Sequence, residues 1–222
     1  SNLQQYPYLY HLIIPIFMKD KWLEWVIQIQ SIAQAGLTFA ENQYDIDRYQ
    51  QLRNLTVEIL HEYTEVSHNK IRDLFANETG YQTPKVDVRA AVIRDDSILL
   101  VKEKIDGKWS MPGGWADVNS SVGDSAVREC REEAGATVVP RRIVALQHLN
   151  RHNSHPYPYT IYKVIVDCEL TGIEFVKNTE TLDSRFFRIE ELPELSAERT
   201  SKEQIEMCFE AHKHKLFETL FD

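Results

Sequence analysis

The stretch from Gly113 to Ala136, GGWADVNSSVGDSAVRECREEAGA, fixes one element of the fold from both ends. Ser121 with Asp124 three positions on has the form of a capping box, which starts a helix. Gly135 stands where a left-handed residue would stop one. A helix is therefore expected from about Val122 to Ala134. At roughly 100° per residue, Ala126, Val127, Cys130 and Ala134 share one apolar face. Glu129, Glu132 and Glu133 lie along its flank, with Glu133 nearest the core.

Such a flank is unfavourable by itself. Like charges three and four positions apart repel, and negative charge in a last helical turn opposes the macrodipole. Arg131 and Arg128, the latter an i, i+4 neighbour of Glu132, compensate in part. A hard divalent cation, which prefers carboxylate oxygen, would compensate the rest. For an isolated E-x-x-E-E, a solvated charged face is the alternative reading, and the flanking glycines argue against it.

With those glycines the stretch resembles the signature of Nudix hydrolases, G-x5-E-x7-R-E-U-x-E-E-x-G-U with U a bulky apolar residue. Gly114, Arg128, Glu129, Glu132, Glu133 and Gly135 are in register with it. The departures are Ser120 at the position of the first Glu, and the small residues Cys130 and Ala136 at the two U positions. In the family that first Glu mainly braces the motif's Arg, so its loss bears on how Arg128 is held rather than on the metal ligands. The resemblance spans about Lys19 to Phe217. It implies an α/β fold, an α/β/α sandwich around a mixed sheet, preceded by a small all-α domain.

The chain has 222 residues, 43% of them hydrophobic, enough for one large domain or two small ones with a real core. A net charge of −9 argues against a general nucleic-acid surface, and no membrane span is visible. Cys130, Cys168 and Cys208 are far apart and form no C-x-x-C, so reduced thiols and a cytoplasmic location are expected. Residues 1–17 are read as an extension of uncertain origin. Their apolar run is broken by Pro15 and lacks a basic leader, while Met18 and KDKWLEW resemble a natural start. An ordered arm packing on a partner subunit is the alternative.

Residues 18–79 read as a helical domain. Trp22, Trp25, Val26, Ile29, Ile32 and Ala33 recur at helical spacing and end near Gly36. Tyr49, Leu52, Leu55 and Ile59 form a second stripe, and Ile71, Leu74 and Phe75 mark a short third helix; the tryptophans are expected in the core. The words KWLEW, IAQAGL and YDIDRYQQLRNL resemble the N-terminal domain of Nudix enzymes that cleave nucleoside diphosphates linked to a further moiety X, which implies a homodimer. A linker at 80–85, marked by Gly80 and Pro84, leads to a Nudix domain over 86–222. Strands are expected from Val86 to Val92 and, after a turn at Arg94 to Ser97, from Ile98 to Val101. Others are expected at Ile143 to Leu149, Thr160 to Cys168 and Arg185 to Ile189, with a closing helix at Ser201 to Phe217.

A pyrophosphate carries charge that repels a nucleophile, so a metal is needed to neutralise it. The resemblance implies Mg²⁺ or Mn²⁺ on Glu129, Glu132 and Glu133, with the Gly114 carbonyl as a further ligand. Gly113 and Gly114 let backbone approach a ligand closely. The base is one of these glutamates or a carboxylate on a later loop, where Glu180 stands. The loop HLNRHNSHPYPY is read as either substrate recognition, through Arg151 and an aromatic such as Tyr159, or an irregular connector. A second metal site at His148, His152 and His155 has little support, and Asp106, Lys108, Arg199 and Thr200 are further candidates for substrate contact. Hydrolysis of an NDP-X compound, ADP-ribose or CDP-choline foremost, is the expected activity. The alternatives are a silent ligand sensor, which the intact R-E-x-x-E-E disfavours, and an RNA-end hydrolase, which the acidic balance disfavours.

Overall fold

The structure, a computed structural model, describes residues 21–64, 69, 71–72, 80–152, 157, 159–175, 178–214 and 217–222. These residues fall into two compact units, one helical and one built on a sheet from Lys85 onward, with Tyr157, Tyr159 and Thr160 grouped with the helical unit. The extension at 1–17, and Leu74 and Phe75, lie outside the described residues.

In the helical unit, α1 (Lys21–Phe39) and α2 (Gln43–Tyr63) are joined by a short turn. Asn42 caps α2 by accepting the Asp45 amide at 2.9 Å. The core is Leu23, Val26, Val57, Leu60 and Ile71. Of the expected stripes, Val26 and Ala33 are buried within the unit, while Trp25 is 59%, Ile32 62% and Leu55 50% exposed in the single chain. The interior of α1 is instead completed by Gln30 and Gln34, which are buried because each finds a partner. The Thr56 hydroxyl donates to Gln30 Oε1 at 3.0 Å, and Gln34 Nε2 donates to the Gly80 carbonyl at 2.8 Å. The first helix also runs past Gly36 to Phe39.

The second unit is an eight-stranded mixed sheet. Its strands are β1 (Lys85–Arg94), β2 (Ser97–Glu103), β3 (Trp109–Ser110), β4 (Gly113–Trp115), β5 (Ala136–His148), β6 (Ile161–Ile173), β7 (Thr181–Phe187) and β8 (Leu220–Phe221). The order is β3-β2-β1-β6-β5-β8, with β4 on β1 and β7 on β2. The β1–β6 and β5–β8 pairs are parallel and the rest antiparallel. The β1–β2 turn uses positive φ at Asp95 and Asp96, residues that tolerate it. The long strands begin earlier or extend further than the apolar runs indicate, and β7 starts at Thr181 rather than Arg185.

Alternation along the strands feeds two cores. Val88, Ala90 and Val92 pack with Leu99, Val101, Val164 and Val166 beneath Ala126, Cys130 and Ala134 of α3 (Val122–Ala134). On the opposite face Ala91, Ile93, Ile98, Leu100 and Ile165 pack against Ile205, Cys208 and Phe209 of the closing helix. A single turn, α4 (Leu149–His152), follows β5, and the closing helix α5 runs over Lys202–Lys213, shorter than expected. The three cysteines are free and buried. Among the described residues no helix is long and apolar enough to cross a membrane.

Candidate active site

Helix α3 is fixed as its sequence predicts. Ser121 Oγ accepts the Asp124 amide at 3.0 Å while Asp124 accepts the Ser121 amide, and Gly135 takes the left-handed conformation at φ 63°. The buried face carries Ser125, Ala126, Glu129, Cys130, Glu133 and Ala134, with Val127 only partly covered. Glu129 and Glu133 thus point inward from successive turns, 6% and 5% exposed. Glu132 is on the outer side.

The two buried glutamates meet the Gly113–Gly114 strand. Glu133 Oε2 accepts the Gly113 amide at 2.9 Å. A Cβ on Gly114 would stand 3.0 Å from Glu129 Oε1, so the carboxylate rests against the bare Cα. Gly113 is held at φ 150° so closely on β1 that a Cβ would lie 2.0 Å from the Val88 carbonyl oxygen.

Burial pushes the Glu133 carboxyl up to about 8; Arg89 and the Gly113 amide pull against it, and Glu103 and Glu129 add to it. Burial also raises Glu129, opposed by Arg128 and Arg89 and reinforced by Glu132 and Glu180. Glu180 is exposed, and Asn178, which accepts its amide at 2.9 Å and donates to the Glu132 carbonyl at 2.9 Å, holds its backbone beside the end of the helix.

Arg128 is braced without a glutamate at position 120. Its guanidinium lies 3.2 Å from Asp117, 2.9 Å from Glu129 and 3.1 Å from Glu132, and donates to the Trp115 carbonyl at 3.3 Å. Ser120 instead accepts a hydrogen bond from the Ser125 hydroxyl. Among the described residues no three His, Cys, Asp or Glu side chains are gathered as a ready-made metal cluster. Arg128 engages Glu129 and Glu132, and the Gly113 amide holds Glu133. The donor set nevertheless suits a hard cation, being carboxylate oxygens whose buried charge Arg89 and Arg128 only partly offset.

Three contributors were not legible in the sequence. Asp117 substitutes for the missing brace. Arg89, 6% exposed on β1, forks onto Asp87 at 2.9–3.2 Å and donates to the Met111 carbonyl, facing Glu133 and Glu103. Asn178 ties the loop of Glu180 to the end of α3. An arginine two positions from an aspartate inside an apolar strand, VDVRAAV, was the one available signal.

The other candidates have protein partners. Asp106 accepts from Ser196 at 2.7 Å, Lys108 pairs with Glu194 at 2.9 Å, Arg199 lies 3.4 Å from Glu103, and Thr200 accepts the Met111 amide at 3.0 Å. Arg151 is 3.8 Å from Asp222, and Tyr159 faces Tyr157 with ring centroids 5.7 Å apart. His152 lies 3.2 Å from Asp222, burial lowers the His148 pKa, and His155 lies outside the described residues.

Comparison with known proteins identifies both domains. Residues 20–75 match the profile of the UDP-X-like N-terminal oligomerisation domain, and residues 83–208 that of the NUDIX domain. The putative ADP-ribose pyrophosphatase YjhB of Bacillus subtilis (strain 168) is 40% identical over 207 residues, covering 93% of this chain and 100% of that protein. The crystal structure of an ADP-ribose pyrophosphatase from Streptococcus suis 89-1591 is 44% identical, with a TM-score of 0.59, over 63% of this chain and 100% of that one. That of a UDP-X diphosphatase is 30% identical, also at 0.59, over 90% of this chain and 98% of that one. With a capped carboxylate helix set on a glycine strand and both domains matched in order, the chain belongs to the Nudix family, as a pyrophosphohydrolase.

Proposed function

We propose that this chain hydrolyses the pyrophosphate bond of a nucleoside diphosphate linked to X, releasing a nucleoside monophosphate and phospho-X. ADP-ribose is the leading substrate, because the relatives at 40% and 44% identity are named for its hydrolysis; CDP-choline is the second. The observation that carries the reading is the burial of Glu129 and Glu133 side by side against Gly113 and Gly114. Bound Mg²⁺ or Mn²⁺, held by Glu129, Glu132, Glu133 and the Gly114 carbonyl, would neutralise phosphoryl oxygens and lower the pKa of the attacking water.

The chain's own groups do the remainder. Arg128 orients Glu129 and Glu132 through its 2.9 and 3.1 Å contacts and limits their mutual repulsion. The Gly113 amide fixes the Glu133 carboxylate. Glu180, exposed and held beside the end of the helix by Asn178, orients the water and takes its proton. Arg151 is the candidate for contact with the substrate's phosphate. The working form is a homodimer through the N-terminal domain, which matches an oligomerisation domain.

The test is a screen of NDP-X compounds with Mg²⁺ or Mn²⁺, reading phosphate after phosphatase coupling. Cleavage of ADP-ribose with release of AMP is expected. Binding of one compound with cleavage of none would replace the enzyme reading by a sensor.

A further inference from the structure

We propose that Asn178 and Thr181 are positioning residues that clamp the Glu180 segment onto the C-terminal end of α3 and thereby fix Glu180 beside the helix that carries the three glutamates. The proposal rests on the reading of Glu180 as the base.

A helix end leaves its last carbonyls without intrahelical partners. The Gly135 amide serves the Arg131 and Cys130 carbonyls. Those of Glu132 and Glu133, the residues proposed to hold the metal, are served from a different segment. Asn178 Nδ2 donates to the Glu132 carbonyl at 2.9 Å, and the Thr181 hydroxyl donates to that of Glu133 at 2.7 Å. The same Asn178 Nδ2 donates to Thr181 Oγ1 at 2.8 Å, linking the two contacts.

The other end of the Asn178 amide faces the loop. Its Oδ1 accepts the backbone amides of Glu180 at 2.9 Å and Thr181 at 2.8 Å. The Glu180 carbonyl in turn accepts the Lys104 amide of the segment that follows β2, at 3.0 Å. Glu180 is thus held by its amide and its carbonyl, and none of these contacts uses its carboxylate, which stays exposed. An ordinary loop turn would need only the acceptor end of Asn178. Here the donor end reaches the carboxylate helix, and Thr181, fully buried, repeats the connection. A base must be placed within hydrogen-bond reach of its proton, and this clamp supplies the placement.

The test is a double-mutant cycle of Asn178→Ala and Glu180→Gln on the full chain, with ADP-ribose and Mg²⁺. Asn178→Ala is expected to lower kcat by about 10- to 100-fold with little change in KM. In the Glu180→Gln background it should have no further effect. Independently of turnover, hydrogen exchange on the metal-free protein should show the Glu180 and Thr181 amides losing protection. Thr181→Val should reproduce the kcat loss and Thr181→Ser restore it. Should Asn178→Ala not fold, Asn178→Asp, which keeps the acceptor and removes the donor, carries the same cycle. A slow Glu180→Gln with additive losses in the double variant, or unchanged kcat and exchange in the Asn178 variants, overturns the clamp alone. A Glu180→Gln enzyme with full turnover overturns the base reading and the clamp's catalytic role together.

Discussion

The Arg128 guanidinium lies 3.2 Å from the Asp117 carboxylate, an acidic partner from outside the helix in a chain that has Ser120 in place of the first signature glutamate. The pair is largely exposed, and exposed ion pairs contribute at most about 1 kcal/mol. Asp117→Asn is therefore expected to lower kcat/KM by no more than about fivefold. Adding Ser120→Glu to that variant should reverse the loss, since a glutamate there, just before the helix cap, stands at the signature's own bracing position. Steady-state kinetics on the single and double variants check this; a restored rate without the second change would show that Asp117 has no bracing role.

The metal assignment predicts a steeper dependence. Glu129→Gln and Glu133→Gln keep the shape of the side chain and remove its charge, and each is expected to reduce kcat by roughly 10²-fold or more. Mn²⁺ titration should show weakened binding in both. Near-normal turnover in the two variants would remove these residues from the metal site.

Burial places the Glu133 carboxyl at about 8 in the native state against 4.5 for the free group. Between those values the metal-free native state holds a proton that the unfolded chain has released, so its stability falls as pH rises. The contribution is fully present below about 4.5 and lost through about 8. Melting temperatures of metal-free protein at about pH 5, 7 and 9 should decline, and Glu133→Gln should flatten the trend. Because a ligand must be deprotonated, Mn²⁺ binding near neutral pH should release protons, measurable by calorimetry in buffers of different ionisation enthalpy.

How much of this could be read from the residues depends on where the partners lie. Helix α3 was legible to the residue, because Ser121, Asp124 and Gly135 act within a turn of where they stand. The burial of Gln30 and Gln34 was not legible, because both are polar and only the tertiary partners Thr56 and Gly80 make it tolerable. Asp117, Arg89 and Asn178 escaped for the same reason. Their roles arise from contacts with Arg128, with Asp87 and the field of Glu133, and with the end of α3, which no local pattern encodes.

The two box glycines should fail differently. Gly113→Ala drives a Cβ to 2.0 Å from the Val88 carbonyl oxygen at φ 150°, a clash with backbone that cannot yield. A loss of about 3 kcal/mol or more is expected, seen as a lowered denaturation midpoint. Gly114→Ala meets the end of the Glu129 side chain at 3.0 Å, and that chain can give way. Stability should change by less than about 1 kcal/mol while kcat falls about tenfold, because Glu129 is displaced.

Stability and activity should separate most clearly at the Asp87–Arg89 pair, 7% and 6% exposed. Arg89→Met leaves the Asp87 charge buried without its fork and is expected to cost about 3–5 kcal/mol. Asp87→Leu combined with Arg89→Met removes both charges and should recover most of that stability, since a packed apolar pair is about as good as a buried ion pair. Activity should not return with it. Arg89 is one of the two groups that pull the Glu133 carboxyl downward, so without it that carboxyl is held still more strongly in its protonated form. The double variant is expected to fold like the parent, bind Mn²⁺ more weakly, and regain affinity as the pH is raised. Parent-like Mn²⁺ affinity in that variant would restrict Arg89 to a packing role.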